Sequence, residues 1–314
     1  MEDQSASRDE SRSFQQGLAA IQSGDLATNA VTRFSDLSRT DAKALAREWL
    51  SIPAETRVAL MRRFDEISEE RIDVNFHRAL RIALDDPEPA VRQLAVDALW
   101  EDESSDLLTR LTTMVASDPS PDVRAQAAAA LERYVARATS GEIDNAQAAE
   151  VRRTLLDAVM DSEAPYALQR RALEALGPLG SDPQIAGLIG ERYESDDHGL
   201  QCSALYAMGR SLQARWLPTL LAELENDDPE LRFEAARAAG ALGSPDAIPA
   251  LLEAARSDDV EVRQAAIAAI GQIGTRGSLR ALERLLDDAN EAEAELIEAT
   301  IEDVQTVLDP FESS

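Results

Sequence analysis

The chain has 314 residues, and its 31 basic and 59 acidic side chains give it a formal net charge of −28. Such a charge repels phosphate backbones and anionic lipid, which argues against a protein that binds nucleic acid or a membrane surface. The single cysteine, Cys202, excludes an internal disulfide and a cluster of several metal-binding cysteines, and no apolar stretch approaches the roughly 20 residues of a membrane span. We therefore expect a cytoplasmic protein.

The two ends of the chain read as tails. Residues 1–30 are rich in Ser, Asp and Gln and contain few residues that could anchor to a core, so we expect a flexible N-terminal tail with one short helix near residues 14–21. The last residues, 309–314, predict a short C-terminal tail.

Residues 31–72 read as helices that are out of register with the rest of the chain. Ser38 can cap a helix that carries Leu45 and Trp49, and Pro53 can begin the next helix. We expect these helices to form an N-terminal cap that covers the open end of a repeat array.

Residues 73–308 contain an internal repeat. Its clearest copies are DDPEPAVRQLAVDALW (85–100), SDPSPDVRAQAAAALE (117–132), DDPELRFEAARAAGAL (227–242) and SDDVEVRQAAIAAIGQI (257–273). One anchor position recurs along the chain; it is held by Arg92, Arg124, Gln169, Gln201, Arg232 and Arg263. Successive anchors are 31 or 32 residues apart except for one interval of 45, which holds an insertion near residues 136–147. A seventh, poorer copy at about 287–308 suits an end cap.

Each copy predicts a helical hairpin. The Asp-Pro and Ser-Pro pairs supply an N-cap oxygen followed by a proline in the first helical turn; they are Asp86-Pro87, Asp118-Pro119, Asp228-Pro229 and Ser244-Pro245. Apolar residues then recur at helical spacing, and we expect the helices to stop and turn at the glycines Gly240, Gly243, Gly271 and Gly274. No segment alternates with a period of two, so we expect no strands.

The three tryptophans, Trp49, Trp100 and Trp216, each lie among apolar residues of predicted helices. This pattern predicts core packing for all three. Trp100 occupies a position that glycine holds in other copies, which indicates a local widening of the stack.

The pattern D-x-x-V-R-x-x-A-x-x-A-[LI]-G resembles HEAT repeats, and is similar in particular to the short HEAT-like repeats of the phycobilisome-lyase type. The resemblance extends over residues 73–308 and implies an all-α, right-handed α-solenoid of about seven helical hairpins. It constrains function weakly, because the family includes adaptors, regulators, chromophore lyases and enzyme domains.

Few residues of the chain could carry catalysis. The two histidines are His77 and His198, and neither belongs to the His-Glu pairs that would hold iron in a deoxyhypusine hydroxylase. HExxH, GxGxxG and Walker A motifs are absent from the sequence. His198 and Cys202 are one helical turn apart, which allows a thiolate–imidazole pair, although a packed small thiol is the better interpretation. We expect no catalytic residue, no cofactor and no bound metal, and the net charge argues against a HEAT-like DNA glycosylase.

The anchor arginines have a structural interpretation. They recur beside the Asp-Pro turns at Arg92, Arg124, Arg232 and Arg263. HEAT-like stacks use an Asp–Arg ladder that joins neighbouring repeats, and the guanidinium fork suits that role. We therefore do not count these arginines as binding residues.

The second helices of the repeats predict a binding surface. Positions one, five and nine after the anchor should face the concave groove. In the three middle repeats these nine positions hold three Arg and one Glu, an excess of positive charge in an acidic protein. Aromatic residues beside arginines are the usual composition of an interaction hot spot. The predicted partner-binding residues are Arg170, Tyr206, Arg210, Phe233 and Arg237.

These patterns favour a non-catalytic scaffold that binds a protein or peptide partner on its concave face, is a monomer alone, and binds neither nucleic acid nor membrane. The expected ligand is a segment carrying carboxylates or an aromatic side chain. Two alternatives remain open: an accessory lyase-type protein that handles a tetrapyrrole chromophore, and a salt-adapted repeat protein that self-associates.

Overall fold

The computed structural model describes residues 2–287 and 289–308. Within these ranges the chain forms eighteen α-helices, five short 3₁₀ helices and no strand, which confirms the all-α prediction. It divides into two compact units, Met1–Tyr134 and Val135–Ser314. The predicted C-terminal tail, residues 309–314, lies outside the described residues.

The first unit contains four N-terminal helices followed by two helical hairpins. Its helices are α1 (Glu2–Gln22), α2 (Thr28–Val31), α3 (Arg39–Glu48), α4 (Ala54–Glu70), α5 (His77–Ala83), α6 (Pro89–Ala98), α7 (Ser105–Ser117) and α8 (Pro121–Thr139), the last of which ends in the second unit. Two 3₁₀ helices, Thr32–Phe34 and Trp49–Ser51, extend α2 and α3. The helix predicted to follow Ser38 is present as α3. Ser38 is the N-cap of this helix, and its hydroxyl accepts a hydrogen bond from the backbone N–H of Asp41.

The segment predicted to be a flexible tail contains α1, which includes residues 14–21. Phe14, Leu18 and Ile21 of this helix are buried, because their spacing places them on one face. Phe14 starts a row of aromatic rings: it meets Phe34 edge to face at 5.8 Å between centroids. The row continues through Phe64 to Phe76. Aromatic pairs of this kind stabilise a fold by more than their buried area alone would provide. The row therefore packs the buried face of α1 within residues 12–22 against the rest of the unit.

The N-cap prediction is wrong for two of the Asp-Pro pairs. Asp86 and Asp118 lie upstream of the helices they were expected to cap, because a second proline begins each helix, at Pro89 in α6 and Pro121 in α8. Instead, each carboxylate accepts a hydrogen bond from the backbone N–H two residues later, which forms a local turn. The same carboxylates also accept hydrogen bonds from arginines, Asp86 from Arg57 and Asp118 from Arg92.

The second unit contains five helical hairpins. Their helices are α9 (Asn145–Met160) with α10 (Tyr166–Ala175), α11 (Pro183–Tyr193) with α12 (His198–Arg210), α13 (Leu217–Glu223) with α14 (Pro229–Leu242), α15 (Ile248–Ala254) with α16 (Val260–Ile273), and α17 (Arg276–Leu286) with α18 (Glu291–Leu308). Three 3₁₀ helices, Gly177–Leu179, Ala214–Trp216 and Pro245–Ala247, lie in the connections. Each second helix contacts the second helix of the next hairpin, so α10, α12, α14, α16 and α18 form one continuous layer.

Caps and glycines define the ends of the repeat helices. Asp228 caps α14 with Pro229 in its first turn, as predicted, but the Ser244 side chain makes no capping bond. Gly243 and Gly274 end α14 and α16 with φ of 72° and 65°, a left-handed conformation that favours glycine. The same prediction is wrong for Gly240 and Gly271, which lie inside helices where a Cβ atom would collide with the adjacent helix.

The anchor side chains hydrogen-bond to the turn inside their own hairpin. The Arg232 guanidinium donates to the carbonyl of Asn226, six residues upstream, and Arg263 does the same to Ser257. In the degenerate copy, the Gln201 amide donates to the carbonyl of Ser195, also six residues upstream. The anchor position therefore requires a long side chain with an N–H donor, which explains why Gln replaces Arg in two copies.

Several arginines also join neighbouring hairpins through carboxylates, as the Asp–Arg ladder predicts. Arg92 makes two hydrogen bonds to Asp118, with both side chains buried, and Arg263 pairs with Glu293 at 2.8 Å. Arg124 departs from the pattern and donates to the carbonyl of Val115. The predicted ladder is therefore present at Arg92 and, with a glutamate, at Arg263, whereas the described bonds of Arg124 and Arg232 stay within their own hairpins.

The tryptophans differ in their environments. Trp49 is buried, and its indole N–H donates to Asp86 at 2.6 Å. Trp216 is half-buried beside the Arg215 guanidinium. Core packing was the wrong prediction for Trp100, which is 63% exposed, because α6 ends at Ala98 and the indole follows the last turn.

Candidate functional site

Three second helices of the second unit, α12, α14 and α16, approach one another closely. A Cβ atom at Gly209 would lie 2.6 Å from the Cα of Ala238, and one at Gly240 would lie 2.7 Å from the Cα of Ala269. Real Cβ atoms do not occur at such distances, so glycine is required at both contacts. The small residues allow the helix backbones to lie almost in contact along this layer.

A cavity of about 440 Å³ opens on this layer. Large side chains stand on α12 and α14, and alanines with two glutamines supply the rest of the lining. The lining residues are Tyr206, Arg210, Phe233, Arg237, Ala238, Ala241, Gln264, Ala265, Ala268, Ala269 and Gln272. The result is an apolar floor beside two aromatic rings and two guanidinium groups.

Four of the five residues predicted from the sequence line this cavity: Tyr206, Arg210, Phe233 and Arg237. The fifth, Arg170, lies on α10 and is not part of the lining. Its Nε donates to the Ser203 hydroxyl at 2.9 Å, and its guanidinium lies 6.0 Å from the Tyr166 ring. Arg170 is therefore a half-buried neighbour of the cavity.

Arg237 is held in place by its neighbours. Its guanidinium lies 5.7 Å from the Tyr206 ring centroid and 5.5 Å from that of Phe233, within the range of cation–π attraction. Nη1 donates to both oxygens of Glu234 at 3.3 Å. Among the described residues Nε and Nη2 have no hydrogen-bond acceptor, and together they form the fork that a carboxylate accepts side on.

Two charged residues beside the cavity do not occupy positions one, five or nine after the anchor and were not predicted. Glu234 directly follows Phe233, and burial raises the pKa of its carboxyl while Arg237 opposes that shift. Arg171 pairs with the buried Glu174 at 2.7 Å, and this hydrogen bond raises the pKa of Arg171. Because Glu234 partly compensates the charge of Arg237, the excess of positive charge at this surface is smaller than the nine predicted positions indicate.

His198 and Cys202 lie one turn apart on α12, as the sequence indicates. Burial, followed by the nearby carboxylate of Glu230, raises the pKa of the Cys202 thiol to about 12. A thiol with such a pKa carries almost no thiolate at neutral pH, which disfavours a nucleophilic thiolate–imidazole pair.

None of the helices in the described part of the chain combines the length and the apolar character that crossing a membrane requires.

Comparison with known proteins identifies the repeats. The family profile described as HEAT repeats matches residues 78–151 and 217–300, which together make up half of the chain. Comparison with curated protein sequences gives no match.

Three solved structures are similar to this chain to different degrees, and the first of them shows the same fold. The complex of CpcE and CpcF of phycocyanin lyase from Nostoc sp. PCC7120 is 20% identical, with a TM-score of 0.56, and the match covers 81% of this chain and 96% of that chain. Human deoxyhypusine hydroxylase is also 20% identical, over 85% of this chain and 98% of that chain, but its TM-score is only 0.35. Kap121p is 16% identical over 92% of this chain and 37% of that chain, with a TM-score of 0.46. The likeness to CpcE and CpcF agrees with the predicted resemblance to repeats of the phycobilisome-lyase type, and with the matched repeats it shows that this chain belongs to the HEAT-repeat family.

Proposed function

We propose that this protein is a non-catalytic binding scaffold that holds a segment of a partner protein in the cavity between α12, α14 and α16. The observation that carries the proposal is the cavity itself, in which Arg237 lies beside two aromatic rings and its Nε and Nη2 donors have no acceptor among the described residues. Such a group binds without first reorganising, which is the usual source of affinity at a small hot spot.

The lining suggests the chemistry of the bound segment. A carboxylate can accept the Nε and Nη2 donors of Arg237, while an aromatic or aliphatic side chain packs on Phe233 and the alanine floor. An acidic residue next to an aromatic one would supply both. Among the described lining residues there is no carboxylate, histidine or cysteine that could act as a general base, so the proposal includes no chemical step.

A protein partner suits this fold better than a small molecule. Helical repeat proteins present extended layers of helices as binding surfaces. CpcE and CpcF, which share the fold, are found in a complex with each other. We propose that the chain is a cytoplasmic monomer until it meets its partner.

The test is affinity capture from a lysate of the source organism with the full chain as bait. The variant Arg210→Glu, Arg237→Glu reverses both charges of the cavity, and we expect it to lose a protein that the wild type retains. The matched control, Arg276→Glu, Arg280→Glu, reverses two exposed arginines on α17 and changes the net charge equally. Circular dichroism melting shows whether each variant folds. Equal retention by all three proteins would refute the cavity as the binding site.

The alternative is an accessory role in handling a tetrapyrrole chromophore. The likeness to the phycocyanin lyase complex favours it, and Tyr206, Arg210 and Arg237 could hold the propionate groups of a bilin. A shifted visible absorbance band on mixing the protein with a bilin, lost in the doubly charge-reversed variant, would favour this role over the scaffold. An unchanged band would leave the scaffold as the better account.

A further inference from the structure

A second cluster of polar side chains lies at the first turns of α12 and α14, apart from the cavity. His198 and Cys202 lie on one face of α12, and Glu230 lies in the first turn of α14. One donor atom from each of the three residues lies within 4.8 Å of the other two. Because α12 and α14 pack side by side, the fold brings together three groups that sequence spacing alone does not join.

The buried thiol of this cluster has no hydrogen-bond partner among the described residues. Cys202 is 2% exposed, and among the described residues its thiol takes part in no hydrogen bond. The Nε2 atom of His198 is buried and lies 2.9 Å from a carboxylate oxygen of Asp228, although the angle of this contact departs from that of a hydrogen bond. Buried polar atoms are normally paired, so the unpaired Cys202 thiol beside an imidazole and a carboxylate calls for an explanation.

We propose that His198, Cys202 and Glu230 form a binding site for a divalent metal ion of the zinc class. The inference is independent of the proposed scaffold function, because it uses none of the residues that line the cavity.

The donor set selects the metal. A thiolate, an imidazole and a carboxylate are all zinc ligands, whereas calcium and magnesium require oxygen donors. Zinc bonds of about 2.0–2.3 Å in a tetrahedral site place the donors roughly 3.3–3.8 Å apart, so the cluster must close by about 1 Å. Glu230 can supply that movement, since 59% of its side chain is exposed. A fourth position would be filled by water or by a ligand.

The contacts of His198 assign the roles of its two nitrogens. Nδ1 lies 3.7 Å from the Glu230 carboxylate and is the nitrogen that would bind the metal. Nε2 would then donate to Asp228, after a small rotation of the ring that aligns the bond. Zinc-binding histidines usually donate their second N–H to a carboxylate in this way, which fixes the ring and raises its basicity.

The test uses Co²⁺ as a spectroscopic probe and Zn²⁺ as its competitor, with the full chain. We expect Co²⁺ to give the intense near-ultraviolet band of a thiolate-to-metal transition, and one equivalent of Zn²⁺ to remove it. Cys202→Ala should abolish the band. Asp228→Asn keeps a good N-cap for α14 but removes the carboxylate beside His198, and we expect it to weaken binding by about 10–100-fold.

The matched control is His77→Gln, which removes the other histidine and should leave the band unchanged. Melting curves without metal show whether each variant remains folded. A weak spectrum typical of oxygen ligands alone would overturn the proposal, since it would assign Co²⁺ to the acidic surface. Equal Zn²⁺ affinity of the wild type and Cys202→Ala would overturn it as well.

Discussion

Removal of the Asp86 carboxylate should destabilise the first unit severely. The Asp86 side chain is fully buried and accepts hydrogen bonds from the Trp49 indole and from two nitrogens of Arg57. The Asp86 carboxylate also accepts a hydrogen bond from the backbone N–H of Glu88. In Asp86→Ala the Arg57 guanidinium, whose side chain is only 6% exposed, would remain buried without its counter-charge.

The expected loss follows from that burial. Removing one partner of a buried ion pair costs about 3–5 kcal/mol, chiefly because the remaining charge is uncompensated. With a urea slope of about 2 kcal/mol per M, the midpoint of the transition should fall by roughly 2 M. Urea unfolding of the full chain, followed by Trp fluorescence and by circular dichroism, measures this shift.

A surface pair of similar geometry provides the control. Arg71 also makes two hydrogen bonds to Asp73, but both groups are exposed to water, so Asp73→Ala should leave the midpoint unchanged. The double variant Arg57→Leu, Asp86→Ala should recover part of the loss, since it removes the buried charge as well. The reasoning would be refuted if Asp86→Ala unfolded at the same urea concentration as Asp73→Ala.

Two further predictions concern packing and pH. Gly209→Ala should lower the free energy of unfolding by about 1–3 kcal/mol, because its Cβ would lie 2.6 Å from the Cα of Ala238. The control is Gly187→Ala in α11, whose Cβ would meet no atom within 4 Å, so that variant should be neutral or stabilising. Thermal melts compare the two variants. Burial and a hydrogen bond to Glu223 raise the pKa of Tyr193 to about 12. Tyrosine ionises near pH 10 in the unfolded chain, so this contribution to stability is complete below pH 10 and is lost as pH rises towards 12. Urea midpoints of the wild type and Tyr193→Phe across that range measure the loss, and an equal decline in both would contradict it.

The repeat architecture could be predicted because its causes are local. An anchor with a long N–H donor, as at Arg232 or Gln201, bonds to a carbonyl six residues upstream, so register is encoded within each copy. Helical periodicity and the proline at the start of a helix act over similarly short distances. The sequence therefore determines the hairpins almost completely.

Features that depend on distant partners escaped prediction. A short helix near residues 14–21 was expected, but the burial of Phe14 depends on its contact with Phe34, which composition cannot reveal. The exposure of Trp100 depends on where α6 ends, and the burial of Gly240 depends on the close approach of α16. For Phe14 and Gly240 the contacting residue belongs to a different element, and one sequence does not specify which elements meet.

The candidate site also combines features that the sequence predicts with features that depend on contacts between helices. Helical spacing correctly grouped Tyr206, Arg210, Phe233 and Arg237, because residues four apart on stacked second helices face the same side. It could not show that the Arg170 side chain bonds to Ser203.

The two proposed sites should be separable by experiment, although both use α12 and α14. Arg237 lies seven residues after Glu230 on α14, about 10 Å along the helix axis and close to one Debye length at 0.1 M salt. Charge reversal in Arg210→Glu, Arg237→Glu should therefore alter Zn²⁺ affinity by less than about threefold, no more than in the control Arg276→Glu, Arg280→Glu. Competition with a chromophoric chelator measures both variants. A loss of Zn²⁺ binding confined to the cavity variant would contradict the separation and would mean that the cavity arginines also hold the metal site in place.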